Sequence, residues 1–238
     1  MTRILIVGAS RGLGRALVEG LPAPGDAVIG VSRRAPSDIQ PAPNIELQWI
    51  EADMSDPSAA VQAISESAPG ELDVIIYNLG IWESRAFEDD YRFDRDADTE
   101  IIDMINVNIT GAILTLKHLI DRLKNSEKPQ VILTGSTSAQ RQCGRPEVTF
   151  GACKHALNGI ADALREGYRD RRLAVTCLQL GYLNTDEMPS TKTQSASEAS
   201  GEMIPLADVV TMTRALMTLS PASFVRELTL PAILDDRF

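Results

Sequence analysis

The stretch 3–17, RILIVGASRGLGRAL, constrains this chain more than any other. Four apolar residues, Ile4, Leu5, Ile6 and Val7, run into Gly8, and Gly12 and Gly14 follow before a helix-like pattern sets in. The order reads as strand, glycine turn, helix. Glycine permits the tight turn and lets the backbone come close to a ligand. The helix behind it offers free N–H groups and the positive end of its dipole, which suit a phosphate. The G-x-x-x-G-x-G spacing is a relative of the dinucleotide fingerprint with its glycines displaced. Alone, the same pattern also describes a strand-to-helix turn with no ligand, so the rest of the chain has to decide.

Strand-like and helix-like segments alternate beyond it. Strands are expected at 4–7, 27–31, 45–50, 74–77, 131–134, 175–180 and 225–230, most of them short and rich in Val, Ile and Leu, as in strands buried on both faces. Helices are expected at 13–19, 58–65, 99–123, 150–168 and 207–219. Alternation of this kind predicts an α/β fold: one Rossmann-type, doubly wound parallel sheet of about seven strands with helices on both faces. No linker divides the 238 residues, a length sufficient for one α/β domain with a large core.

Charge narrows the partners. The net charge of −10 argues against nucleic acid or an anionic membrane surface. No run of 18 apolar residues is present, and the chain enters a strand pattern without a signal-peptide architecture, so a cytoplasmic protein is expected. Cys143, Cys153 and Cys177 match no metal or disulfide spacing, in keeping with a reducing compartment. Between 83 and 103, nine acids and three arginines contribute −6, read as a solvated acidic face. Pro36, Pro41 and Pro43 predict an open loop after the second strand. The Ser/Thr/Ala-rich segment 184–201 reads as a flap over the site, within a substrate loop at about 181–204; a tolerant surface loop is the alternative.

In a dinucleotide fold an acid ending the second strand binds the ribose diol, and an arginine there accommodates a 2′-phosphate. Here the strand ends Val31-Ser32-Arg33-Arg34, without an acid, and Arg11 lies within the glycine turn. Guanidinium groups pair well with phosphate. Arg11, Arg33 and Arg34 therefore predict NADP(H) rather than NAD(H), with Ser32 beside them as a further cofactor-binding candidate.

With these residues in place the chain resembles the short-chain dehydrogenase/reductase family over nearly its whole length. Gly8-Ala9-Ser10-Arg11-Gly12-Leu13-Gly14 is similar to the family's cofactor turn. Asp53, followed by Met54, falls where the family's acid contacts the adenine. Asn78-Leu79-Gly80 resembles the family's Asn-Ala-Gly after the fourth strand, with Leu79 replacing alanine. Asn106-Val107-Asn108-Ile109-Thr110-Gly111 makes Asn108 the match for the catalytic asparagine, and Ser136 matches the catalytic serine. Ser136 is preferred over Ser138 because the apolar strand ends there. Leu180-Gly181 stands for the family's Pro-Gly, and Thr185 matches the threonine that touches the nicotinamide amide. The resemblance implies a carbonyl–alcohol oxidoreductase acting on a small organic substrate.

The family's Tyr-x-x-x-Lys reads Phe150-Gly151-Ala152-Cys153-Lys154 here. The i, i+4 spacing keeps both side chains on one helical face, but the hydroxyl is lost. In the family that tyrosine protonates the carbonyl oxygen, the serine holds the oxygen, the lysine lowers the tyrosine's pKa and binds the nicotinamide ribose, and the asparagine holds a water. Phenylalanine supplies no proton, and loss of a general acid costs on the order of 10² to 10⁴ in rate. Three accounts stay open. Phe150 is a substitution introduced into a working reductase; or it is natural and Tyr182, Ser138 or a water donates; or the protein binds NADP(H) without hydride chemistry, as a sensor or assembly partner.

His118 and His155 have no partner ligands nearby in sequence and read as packing or surface residues, and Cys153 as packed. The 99–123 segment is apolar on more than one face, and 150–168 is rich in Gly and Ala. Both features predict a homodimer or homotetramer assembled through these helices.

Overall fold

A computed structural model describes residues 1–141, 145–185 and 201–235. Cys143 and most of the expected flap fall outside the described residues. Seven strands form one parallel sheet: β1 (Arg3–Val7), β2 (Ala27–Ser32), β3 (Glu46–Glu51), β4 (Val74–Tyr77), β5 (Gln130–Thr134), β6 (Ala174–Leu180) and β9 (Glu227–Leu230). Their order is β3-β2-β1-β4-β5-β6-β9. The chain winds outward from β1 in one direction and from β4 in the other, so the order reverses between these two strands. A ligand crevice opens beyond the strand C-termini at such a reversal.

Register makes the edge level. Val7 pairs with Val31 and with Tyr77, Tyr77 pairs with Leu133, and Leu133 pairs with Cys177. Gly8, Ser32, Asn78 and Thr134 consequently fall along one rim. The strands are buried on both faces, which is why they read as apolar runs rather than alternations. Leu5 and Val7 face the side covered by α2 (Pro57–Ser67), α4 (Gly111–Leu119) and α5 (Val148–Gly167). Ile4 and Ile6 face the side covered by α1 (Gly12–Gly20) and α6 (Leu206–Thr218). The strands β7 (Leu183–Asn184) and β8 (Ile204–Pro205) pair as a small separate ladder that the sequence did not announce. Residues 33–45 carry no helix or strand, as the prolines predict.

The expected 99–123 helix is broken into pieces. It begins as α3 (Asp98–Ile105), passes through a π-turn at Asn106–Thr110, and continues as α4 before a final 3₁₀ turn. Gly111 N–H reaches back to the Asn106 carbonyl, and the freed Val107 carbonyl accepts from the Tyr77 hydroxyl at 2.7 Å. Burial drives the Tyr77 hydroxyl far above its ordinary pKa, so it remains a donor.

The acidic stretch is not uniformly solvated, which corrects the expectation for Glu83. This side chain is 1% exposed. Its Oε1 accepts from the backbone N–H of Thr149 at 3.1 Å and of Phe150 at 3.0 Å. Composition alone hides this role: Glu83 satisfies two otherwise orphaned N–H groups in the first turn of α5.

The glycine turn leaves no room for a side chain at its closest approach. Gly8 and Gly12 have φ of +85° and +52°. A Cβ on Gly14 would lie 1.8 Å from the Gly8 carbonyl oxygen. Gly14→Ala must therefore lift α1 off the β1 turn, at a cost of about 1–3 kcal/mol. Urea denaturation is expected to show the lower midpoint; an unchanged midpoint would mean that the helix need not approach so closely.

Candidate active site

A cavity of about 870 Å³ runs along the C-terminal rim of the sheet. Of the residues singled out in the sequence, Gly8, Ser10, Arg11, Gly12, Leu13, Ser32, Arg33, Asp53, Met54, Asn78, Gly80, Ser136, Phe150, Lys154, Gly181 and Thr185 line it. Gly14, Arg34 and Asn108 do not line it. Gly14 acts beneath the turn, as described above. Arg34 is exposed, and its carbonyl accepts from the Ser32 hydroxyl at 2.7 Å. The same hydroxyl accepts from the Trp49 indole N–H at 3.1 Å. Ser32 therefore spends its proton within the protein and meets a ligand only as an acceptor.

Asn78 ties the two central strand ends together. It donates to the Gly8 carbonyl at 3.2 Å and accepts from the Thr134 hydroxyl at 3.1 Å. Asn108 is buried and clasps the backbone of Ile81: its Nδ2 donates to the Ile81 carbonyl at 2.7 Å, and its Oδ1 accepts from the Ile81 N–H at 2.8 Å. These two bonds hold the loop after β4 and leave the amide a second N–H. Ser136 accepts from Ser138 N–H at 3.1 Å, which leaves its own proton available to the cavity. The Ser136 backbone N–H donates to Gln179, and Gln179 donates to Asn158 at 2.7 Å. The sequence did carry a signal for Gln179, a lone amide in an otherwise apolar buried strand.

Lys154 is 6% exposed and, among the described residues, forms no ion pair. Its ammonium donates to the Thr134 carbonyl at 2.8 Å and lies 5.5 Å from the centre of the Phe150 ring. Gly80 leaves room for it, since a Cβ there would lie 3.2 Å from Nζ. Burial lowers its pKa to about 8. Phe150 stands edge-on to Trp82 and to Phe87, with ring centres 6.4 and 6.3 Å away. Phe87 has φ of +71°, a left-handed conformation costly for an aromatic residue, and its N–H donates to Glu147 Oε1 at 3.0 Å. Trp82, Phe87 and Arg145 also line the cavity and were missed in the sequence. Trp82 carried a hint, since it follows a strand end at the rim; Arg145 carried none. Cys153 and Cys177 are buried thiols whose pKa burial raises, Cys177 to about 11. Both histidines are exposed.

The turn fits the pyrophosphate of a dinucleotide. Its glycines leave a cradle that side chains would fill, and Arg11 and Arg33 stand at its mouth. Among the described residues, neither of these arginines nor Arg34 forms an ion pair, whereas nearby Arg15 is occupied by Glu19 and Asp38.

A family model described as short chain dehydrogenase matches residues 2–196. The chain belongs to the short-chain dehydrogenase family. Members of this family are oxidoreductases whose fold binds a nicotinamide cofactor. The chain is 30% identical over 183 residues to the 3-dehydrosphinganine reductase TSC10B of Arabidopsis thaliana, covering 74% of this chain and 53% of that protein. It thus spans about half the length of that relative. It is 27% identical over 187 residues to FabG, the 3-oxoacyl-acyl-carrier-protein reductase of Escherichia coli K12, covering 76% and 73%. An alcohol dehydrogenase from the archaeon Thermococcus sibiricus, solved with 5-hydroxy-NADP, superposes with a TM-score of 0.79 at 22% identity, over 98% of this chain and 97% of that one. At that identity the likeness shows the fold alone.

The Lys154 environment sets a pH dependence for this family member. In the unfolded chain a lysine titrates near 10.4. Between about 8 and that value the unfolded chain holds a proton that the folded chain has released, so stability rises with pH across this window. Below pH 8 the cost of burying the charge is fully present. Urea unfolding of the cofactor-free protein should show a gain of up to about 3 kcal/mol from pH 8 to 10.4, and Lys154→Met should flatten it. An identical slope in the variant would place the titrating group elsewhere.

Proposed function

We propose that the chain is an NADP(H)-dependent oxidoreductase that interconverts a carbonyl and a secondary alcohol on a small organic substrate. The observation that carries the cofactor preference is the unpaired state of Arg11 and Arg33 at the rim, with no carboxylate ending β2. A carboxylate there would repel a 2′-phosphate, while two guanidinium groups favour it. The adenine end is assigned to Asp53 and Met54, the pyrophosphate to the turn from Gly8 to Gly14, and the nicotinamide end to Asn78, Gly80, Lys154, Gly181 and Thr185. The bound cofactor supplies the hydride. Lys154 as a cation holds the ribose hydroxyls, Ser136 donates a hydrogen bond to the substrate oxygen, and Asn108 positions the loop after β4.

At the proton-donating position Phe150 offers only its ring. Tyr182 and Ser138 line the same cavity, so a second donor is sterically available. A non-catalytic role as an NADP(H)-dependent sensor or assembly partner is the second reading, favoured by the apolar packing of Phe150 against Trp82 and Phe87. The whole chain is taken as one NADP(H)-binding domain with its substrate loop at about 181–204. Ile102, Ile105, Ile113 and Val148 are exposed on neighbouring helices, and a Cβ at Gly151 or Gly159 would meet nothing within 4 Å. This face supports a homodimer or homotetramer. Two free buried thiols fit a reducing, cytoplasmic setting.

Calorimetric titration with NADPH and NADH tests the cofactor assignment. NADPH is expected to bind at least about tenfold tighter, the value of one charge-assisted contact. The double variant Arg11→Gln, Arg33→Gln should bring the two cofactors level. Equal affinities in the wild type would contradict the assignment. Slow NADPH consumption with a panel of ketones supports the oxidoreductase, and its complete absence favours the sensor.

A further inference from the structure

Beyond Phe150 the cavity is walled by four aromatic rings. Trp82, Phe87 and Phe150 meet pairwise with centres 6.2 to 6.4 Å apart, and Tyr182 stands edge-on to Phe87 at 5.7 Å. Edge-to-face packing of this kind forms a stiff apolar wall. Trp82 and Phe87 nevertheless remain 54% and 40% exposed, a large apolar area left open at a cavity. Phe87 is held there in a left-handed backbone conformation, strained for an aromatic residue, by the buried Glu147. Strain retained at a cavity wall points to a binding role for that wall.

One charge is set into this wall. Arg145 lines the cavity, and its guanidinium carbon lies 4.5 Å above the centre of the Tyr182 ring. One of its N–H groups donates to the Tyr182 hydroxyl. Stacking and this bond fix the guanidinium plane while spending a single donor of five. Among the described residues Arg145 forms no ion pair, although the chain carries a net charge of −10. Glu83 and Glu147, the buried acids of this region, direct their Oε1 atoms to backbone N–H groups, and neither lines the cavity. Arg145 stands with the aromatic wall, on the β5–β6 side of the sheet reversal, whereas Arg11 and Arg33 stand on the β1–β2 side. It is therefore not part of the phosphate cradle at the glycine turn.

We propose that the aromatic wall and Arg145 form a substrate subsite for an oxo acid or hydroxy acid with a planar apolar body. The rings take the apolar body and the guanidinium takes the carboxylate. Apolar walls with one or two placed polar groups are how small-molecule pockets gain orientation, and a paired guanidinium–carboxylate contact fixes that orientation best. The subsite rests on the oxidoreductase reading for its reacting carbonyl, though not for its affinity.

Calorimetry with benzoylformate and methyl benzoylformate, in the presence of NADP⁺, tests the subsite without turnover. The acid is expected to bind at least about tenfold tighter than the ester, as for a charge-assisted contact. Arg145→Gln should abolish the difference, and Arg145→Lys should retain part of it. NADP⁺ affinity, measured on the same samples, reports whether each variant is folded. Equal binding of acid and ester, binding of neither, or a preference that survives in folded Arg145→Gln overturns the subsite. Failure of NADP⁺ to bind counts instead against the oxidoreductase reading, and the acid–ester comparison is then made in the cofactor-free protein.

Discussion

Parallel pairing holds the strand ends level, and everything the site does depends on that alignment. Val7, Val31, Tyr77 and Leu133 lie in register across four strands, so the residues that follow them reach solvent along one rim. Backbone hydrogen bonds fix the rim; side chains then specialise its segments. At the reversal between β1 and β4, Gly8 and Asn78 meet directly, and the approach is closed by the contact of Gly14 with the Gly8 carbonyl. No residue larger than glycine satisfies both the backbone conformation at Gly8 and the packing of α1 behind it.

Charge along the rim is distributed with a consistent logic. The surface of the molecule is acidic, and many of its arginines are neutralised by neighbouring acids. Among the described residues, the cations of the cavity form no ion pair with an acid. Arg11 and Arg33 stand at one end, Lys154 is buried in the middle, and Arg145 is stacked on Tyr182 at the other end. Unpaired cations in a cavity carry a desolvation cost, visible in Lys154, whose pKa burial lowers to about 8. Anionic ligands offset that cost on binding. In the proposed assignment the dinucleotide takes the first part of this row, and the aromatic wall with Arg145 lies beyond its nicotinamide end.

The sheet was legible because its strands are buried on both faces. Apolar runs such as 74–77 and 131–134 have no other use in a chain this polar, and their ends were placed within a residue or two. The glycine turn was legible because backbone geometry demands glycine there. The π-turn at Asn106–Thr110 was not, since its cause is tertiary: the freed Val107 carbonyl depends on the Tyr77 hydroxyl, thirty residues earlier. Glu83 was misread for a similar reason. Eight neighbouring acids masked one that turns inward to serve the N–H groups of α5. Arg145 and Phe87 belong to loops, where no periodicity exists to reveal which side chains face a cavity. Asn108 was found by its place in the motif, but its clasp on the Ile81 backbone is a tertiary contact that the motif does not spell out.

We propose that NADP(H) binding is intact in this chain while position 150, as Phe150, offers no proton donor. Single-turnover oxidation of bound NADPH, compared between the wild type and Phe150→Tyr with one ketone, tests it most directly. The restored hydroxyl, beside Lys154 and Ser136, is expected to raise the rate on the order of 10² to 10⁴-fold with NADPH affinity unchanged. An unaltered rate in a variant that binds NADPH normally would contradict the account.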